Sequence, residues 1–169
     1  MHYSIGIAQA QDGPALARLR WEFRATDGGE APAVPWTCFE AEYLQFFEQG
    51  RADGSRCYWV ARRDEEILGH LLVQQVAMAP RPCKVRDAWG YLTDHYVRPA
   101  YRCQGIGRAL LEHAIAWAKA EDLELLIVWP GTGAVDHYRR LGFSAENDLL
   151  ELQLRAYYDP AWAGTVTER

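Results

Sequence analysis

Apolar and polar residues change their period several times along this chain, and each change marks an element. Tyr3 to Ala8 alternates weakly and is short, which predicts a first strand. Asp12 stands before Gly13-Pro14, where a proline near the first helical position loses nothing by lacking an N–H. Ala15, Leu16, Leu19 and Phe23 then recur at helical spacing, predicting a helix capped by Asp12 that ends by Thr26. Residues 27–36 hold glycines and prolines and read as a loop. Thr37 followed by Glu40 matches a capping box, so a second helix is expected from there to Gly50, carrying Phe39, Tyr43, Phe46 and Phe47.

After Gly54 the helical period gives way to strands. Arg56 to Ala61 and Ile67 to Val76 are β-prone and joined by the charged turn Arg62 to Glu66, the pattern of an antiparallel hairpin. Two prolines in Met78 to Lys84 predict a loop, and Ala88 to Val97 predicts another strand. A helix is expected over Gly107 to Glu121, because Leu110, Leu111, Ala114, Ile115 and Ala118 fall on one side. Leu123 to Trp129 is almost continuously apolar, as a central strand covered on both faces would be. A short helix from Ala134 to Leu141 stops at Gly142, and Leu150, Leu152 and Leu154 alternate with polar residues in a final strand. This order predicts an α/β (α+β) fold with a mixed sheet and helices on its faces.

At 169 residues the chain suits one domain, taken here as 1–158, followed by a loose tail over 159–169. A formal charge of -5 argues against a non-specific nucleic-acid binder. Cys38, Cys57, Cys83 and Cys103 form no CxxC pair and no His/Cys ligand spacing, so free thiols and no metal are expected. The first residues lack a basic start and an apolar run of signal length, and no stretch is long enough to span a bilayer. A cytoplasmic protein without a membrane partner is the expectation. Oligomeric state is not legible, although Tyr157, Tyr158 and Trp162 could form a dimer interface.

The chemistry concentrates where the strand ending at Val97 passes through Arg102-Cys103-Gln104-Gly105-Ile106-Gly107 into a helix. Glycines at 105 and 107 let the backbone turn tightly and bring N–H groups to a ligand without a Cβ in the way. The helix N-terminus adds unpaired donors and a favourable dipole, and Arg102 and Arg108 can offset further negative charge. These parts suit a pyrophosphate. Arg108-Ala109 after Gly107 excludes a P-loop, which needs a lysine and a hydroxyl there, and GxG without a third glycine excludes a dinucleotide fingerprint.

From Tyr91 to Phe143 the chain resembles the core of the GCN5-related N-acetyltransferases. The likeness rests on YVRPAYRCQGIGRALL, on LELLIVWP and on AVDHYRRLGF; His137 stands where an apolar residue is common. The resemblance implies a mostly antiparallel twisted sheet of six to seven strands, splayed at its centre. It implies that backbone donors from Cys103, Gln104, Gly105, Ile106, Gly107 and Arg108 hold the pyrophosphate of acetyl-coenzyme A. It also implies that Tyr96 and Val97 pair through their backbone with the pantetheine arm and the thioester carbonyl. Tyr138 matches the position where many members place the general acid.

Amine acylation by a thioester further needs a neutral nucleophile and a stabilised oxyanion. Asp94 is the first candidate base, since its strand parity differs from that of His95 and Val97 and similar proteins often place a polar side chain there; a loop-fixing aspartate is the other reading. His70 and His95 read as core or surface histidines. Cys103 reads as part of a backbone cradle and not as a nucleophile. Glu22, Glu30 and Trp36 are candidates for the acceptor side, and the acidic balance favours a small primary amine. A non-catalytic acyl-coenzyme A sensor or scaffold, or transfer to a protein amine or a hydroxyl, stays open.

Overall fold

The computed structural model describes residues 2–27, 32–83, 87–131, 133–146, 150 and 152. The described strands are β1 (Ser4–Ile7), β2 (Arg56–Arg63), β3 (Glu66–Ala77), β4 (Ala88–Val97) and β5 (Leu126–Val128). They lie side by side in chain order, antiparallel throughout except that β5 runs parallel to β4. The helices are α1 (Gly13–Trp21), α2 (Trp36–Ala52), α3 (Ile106–Ala120) and α4 (Val135–Arg139). The parallel β4–β5 step requires a crossover, which α3 provides.

Helices cover both faces. Leu110, Leu111 and Ala114 of α3 pack on Trp59, Ala61, Leu71, Val73 and Leu92, forming one apolar layer. Leu16, Ala17 and Leu19 of α1 and Tyr43 and Phe47 of α2 pack on Tyr58, Val60, Ile67, Leu72 and Tyr96, forming the other. No helix among the described residues is long and apolar enough to cross a membrane.

The mixed, mostly antiparallel architecture agrees with the sequence reading, but several details differ. Five strands stand among the described residues against the six to seven expected. The expected final strand falls largely outside them, as do Glu30, Tyr157, Tyr158, Trp162 and the tail from 159. Asp12 does not cap α1: its carboxylate accepts the Gln9 amide at 2.7 Å and pairs with Arg62, also at 2.7 Å. The helix expected from Thr37 begins at Trp36 after Pro35, with no side-chain cap. Its start is fixed by packing instead, since Trp36 meets Trp21 edge-on at 5.4 Å. β5 is shorter than Leu123 to Trp129 and is not doubly covered, as its three residues are half-buried and the flanking Leu125 and Trp129 are exposed.

Two irregularities in the sheet shape the functional end. β4 pairs with β5 only from Gly90 to Leu92, then runs on alone on that side to Val97, so the two strands open into a splay. Opposite Leu71 of β3, β4 carries one extra residue, because His70 faces Tyr96 while Leu72 faces Thr93. The bulge centres on Asp94, whose φ of 52° lies in the left-handed region that aspartate tolerates better than most residues. It places Thr93 and Asp94 together on the α1/α2 face and returns His95 and Val97 to the α3 face.

Close backbone approach is required beside the bulge. A Cβ on Gly69 would meet the Tyr96 carbonyl oxygen at 2.7 Å and the Val97 Cα at 3.1 Å. Because backbone cannot yield as a side-chain tip can, Gly69→Ala should destabilise the fold by roughly 2 kcal/mol. Urea denaturation measures this; an unchanged midpoint would mean that β3 and β4 part there at no cost.

Candidate active site

The cradle forms where β4 ends. A 3-10 turn over Pro99–Tyr101 redirects the chain, and Cys103 (φ 60°) and Gly105 (φ 81°) bend it into α3. Gly105 is the N-cap of α3 and has no side chain with which to cap it. Among the described residues, the amides of Gly105, Ile106, Gly107 and Arg108 therefore donate to no acceptor within the protein. That is the ordinary state of a first helical turn, but here the space at its N-cap is open: a Cβ on Gly105 would meet no atom closer than the Tyr3 hydroxyl at 4.0 Å. The donors and the positive end of the helix dipole face open space of the kind a diphosphate needs.

Around this turn the side chains hold position. Arg102 Nε donates to the Val97 carbonyl at 2.9 Å and Gln104 Nε2 donates to the Ala100 carbonyl at 3.3 Å. Arg108 lies on the exposed flank of α3 and pairs with Glu112 at 2.8 Å. Tyr96 turns to the other face of the sheet, where its ring sits 5.3 Å from that of Phe23, while Val97 joins the α3 layer. The nine residues singled out for coenzyme binding are thus gathered at one strand end.

Tyr138 reaches the same region from α4. It is buried, and its hydroxyl lies 3.0 Å from Nδ1 of His95; Nε2 of His95 lies 2.9 Å from the Gly107 carbonyl oxygen. Burial pushes the Tyr138 phenol up to about 12 and His95 down to about 4, the Gly107 carbonyl pulling weakly the other way. Both groups are neutral at physiological pH. Sequence reasoning missed His95, whose role appears only when the bulge and the first turn of α3 converge. Its strand parity was the single available signal.

Asp94 lies on the opposite face, buried against Arg20, with which it forms an ion pair. Burial holds its carboxyl above the usual carboxylate range, while Arg20, Arg24 and Thr93 pull it down. Asp94 and Arg20 line a cavity of about 360 Å³ whose other walls include Phe39, Glu42, Tyr43, Phe46, Tyr91 and Thr93. The Tyr43 hydroxyl is buried there without a partner.

The remaining acceptor candidates are placed elsewhere. Glu22 takes two hydrogen bonds from the Arg98 guanidinium, at 3.1 and 3.3 Å, and so fastens the end of α1 to the end of β4. Trp36 packs on Trp21 and Phe39 under the Arg18 guanidinium, 3.7 Å from its ring centroid, and does not line the cavity. Glu42, Phe39 and Tyr91 line it instead. The free Cys103 is exposed.

A strand that splays after its bulge, followed by an uncapped glycine turn and a tyrosine on the next short helix, is the arrangement that the resemblance to the GCN5-related N-acetyltransferases implies. The acetyltransferase (GNAT) family model matches residues 16–143, and the chain belongs to that family. Its fold is similar to that of a protein from Clostridium acetobutylicum described as a predicted acetyltransferase and solved with acetyl-CoA. That pair shares 21% identity over 90% of this chain and 97% of the other, with a TM-score of 0.76. A GCN5-related N-acetyltransferase from Ralstonia eutropha JMP134 is similar too, at 22% identity over 90% and 99% of the two chains, with a TM-score of 0.72. An uncharacterised N-acetyltransferase of Methanocaldococcus jannaschii is 38% identical over 63 residues, which is 36% of this chain and 27% of that protein.

Proposed function

We propose that the protein transfers an acetyl group from acetyl-coenzyme A to the primary amine of a small molecule by direct attack in a ternary complex. The observation that carries this reading is the open N-cap of α3, at the strand end where Tyr138 and the Asp94 cavity also meet β4. The coenzyme supplies an activated acetyl thioester. The amides of Gly105 to Arg108 bind its diphosphate, and the edge of β4 beyond Leu92, along which β5 no longer pairs, receives its arm.

Each remaining side chain has one task. Glu42, standing beside the Arg20–Asp94 pair, gives the acceptor cavity an acidic edge that favours an amine, and its aromatic walls favour an apolar body. Asp94 takes the proton that the amine nitrogen loses on acylation; its raised pKa makes it a better base than an ordinary carboxylate. Tyr138 gives its hydroxyl proton to the departing sulfur and is reprotonated from solvent, to which Asp94 releases the proton it took, so the net result is one proton moved from nitrogen to sulfur.

A panel of primary amines, assayed for free thiol released from acetyl-coenzyme A, tests donor, activity and acceptor class together. Tyr138→Phe should lower kcat by about 100-fold with coenzyme affinity kept, a usual size for a lost general acid. With its phenol pushed up to about 12, Tyr138 should also impose no alkaline fall in kcat below that region. Binding of coenzyme without turnover of any amine would favour a sensor or scaffold.

A further inference from the structure

The hydroxyl of Tyr138 does not stand free in the cleft: it meets a histidine that is itself tied to the turn where the coenzyme is expected. A backbone carbonyl can only accept, so the 2.9 Å contact with Gly107 places the proton of neutral His95 on Nε2. Nδ1 is then a lone pair, and the 3.0 Å contact with Tyr138 can form only with the phenol as donor. The resulting chain runs from the Tyr138 O–H through the imidazole to the Gly107 carbonyl, and thus from α4 across β4 to the first turn of α3.

The surroundings fix this arrangement. A Cβ on Gly107 would lie 3.3 Å from His95 Nε2, so the absence of a side chain there leaves room for the ring. On the other side the His137 ring lies 5.3 Å from His95 and 5.5 Å from Tyr138. The imidazole therefore has little freedom to turn away from either partner.

We propose that His95 is a positioning residue for acyl transfer: with its tautomer set by the Gly107 carbonyl, it orients the Tyr138 hydroxyl. The proposal rests on the reading of Tyr138 as the acid. In the resting enzyme the phenol proton points at Nδ1, and a lone pair of its oxygen is left to face elsewhere. For the proton to reach sulfur, the O–H turns about the Cζ–O bond while His95 keeps the ring and oxygen in place. The Gly107 carbonyl belongs to the turn whose amides bind the diphosphate, so ordering of that turn by the coenzyme also orders the histidine.

Two amide substitutions separate the arms of the chain. In His95→Asn the side-chain oxygen can take the place of Nδ1 and accept from Tyr138, whereas His95→Gln reaches toward Gly107. Steady-state kinetics with the best amine of the panel, coenzyme affinity by calorimetry and thermal unfolding are measured for His95→Phe, His95→Asn, His95→Gln, Tyr138→Phe and the double variant His95→Phe/Tyr138→Phe. The expected result is a fall in kcat of about 10-fold for His95→Phe and His95→Gln, the size of one lost hydrogen bond, with KM and coenzyme affinity kept. His95→Asn should recover to within about threefold of the parent, and the double variant should be no slower than Tyr138→Phe alone.

A kcat of His95→Phe equal to the parent's overturns the proposal, and so does a folded His95→Asn as slow as His95→Phe. Tyr138→Phe at full rate overturns the acid reading, and the positioning role with it. Loss in His95→Phe beside full activity in Tyr138→Phe would assign the histidine a role independent of the phenol. If His95→Phe fails to fold, the comparison of His95→Asn with His95→Gln decides between the outcomes.

Discussion

Gly105→Val should abolish measurable coenzyme binding while leaving the fold intact. The residue holds φ 81°, where a β-branched side chain is strained, yet no atom of the protein stands within contact distance of the Cβ that would be added. The cost to folding is therefore conformational, about 1–2 kcal/mol. The cost to binding is larger, because the new side chain stands in front of the amides that would face the diphosphate, and the strained turn pulls those amides out of line. A loss of roughly 100-fold or more in affinity is expected, equivalent to about 2.8 kcal/mol. Calorimetric titration with coenzyme A, beside a thermal unfolding curve for the same variant, separates the two effects. Affinity within a few-fold of the parent in a folded variant would remove the turn from the binding site.

Acid should weaken the fold well before its carboxylates titrate, and His70 should account for much of the loss. His70 is fully buried on β3, neither ring nitrogen has a hydrogen-bond partner, and burial assisted by Arg20 and Arg98 lowers its pKa to about 3. In the unfolded chain the group titrates near 6.5. Below that pH the unfolded state takes up a proton that the native state refuses, so stability present above about 6.5 is lost as the pH falls toward 3. Between pH 7.5 and 5 the loss is about 2 kcal/mol from this group alone. His95 acts in the same direction. Asp94 opposes both, since its native pKa is raised and its native state binds a proton more readily. Replacing His70 with leucine, which is close in volume and has no polar atoms to satisfy, isolates the effect. Urea denaturation at pH 7.5 and pH 5 should show His70→Leu losing about 2 kcal/mol less than the parent over that interval. Parallel losses would show that the imidazole is solvated or paired in the native protein.

The legible parts of the fold were those with a period or a punctuation mark. Ala88 to Val97 is recovered residue for residue, because its alternation is bounded by a proline-rich segment and by Arg98-Pro99. The helix after Gly105 is recovered to within one residue at each end, because its apolar stripe follows a glycine that must turn left-handed. β5 was overdrawn, since a continuous apolar run carries no period to mark its ends, and tertiary pairing limits it to three residues. The π-helical segment Glu22–Asp27 left no mark in the sequence at all.

The candidate site divides in the same way. Residues proposed to bind through the backbone, between Tyr96 and Arg108, lie close together in the chain and could be read as a unit. Residues that act through side chains come from separate elements: Arg20 with Asp94 spans α1 and β4, and Glu42 enters from α2. Glu22 was a sound candidate by charge and region, but its neutralisation by Arg98 depends on a contact 76 positions away, which no local pattern encodes. His95 with Tyr138, 43 positions apart, is concealed for the same reason.

The single surplus residue at Asp94 works as a frame shift in the strand. Flattening the bulge with every residue kept would restore strict alternation and exchange the two sides for everything downstream, sending His95 and Val97 toward α1 and α2 and Tyr96 toward α3, whereas deleting Asp94 would leave them where they are. The allocation of side chains between the α3 side and the α1/α2 side is therefore written into the bulge and not only into residue identities.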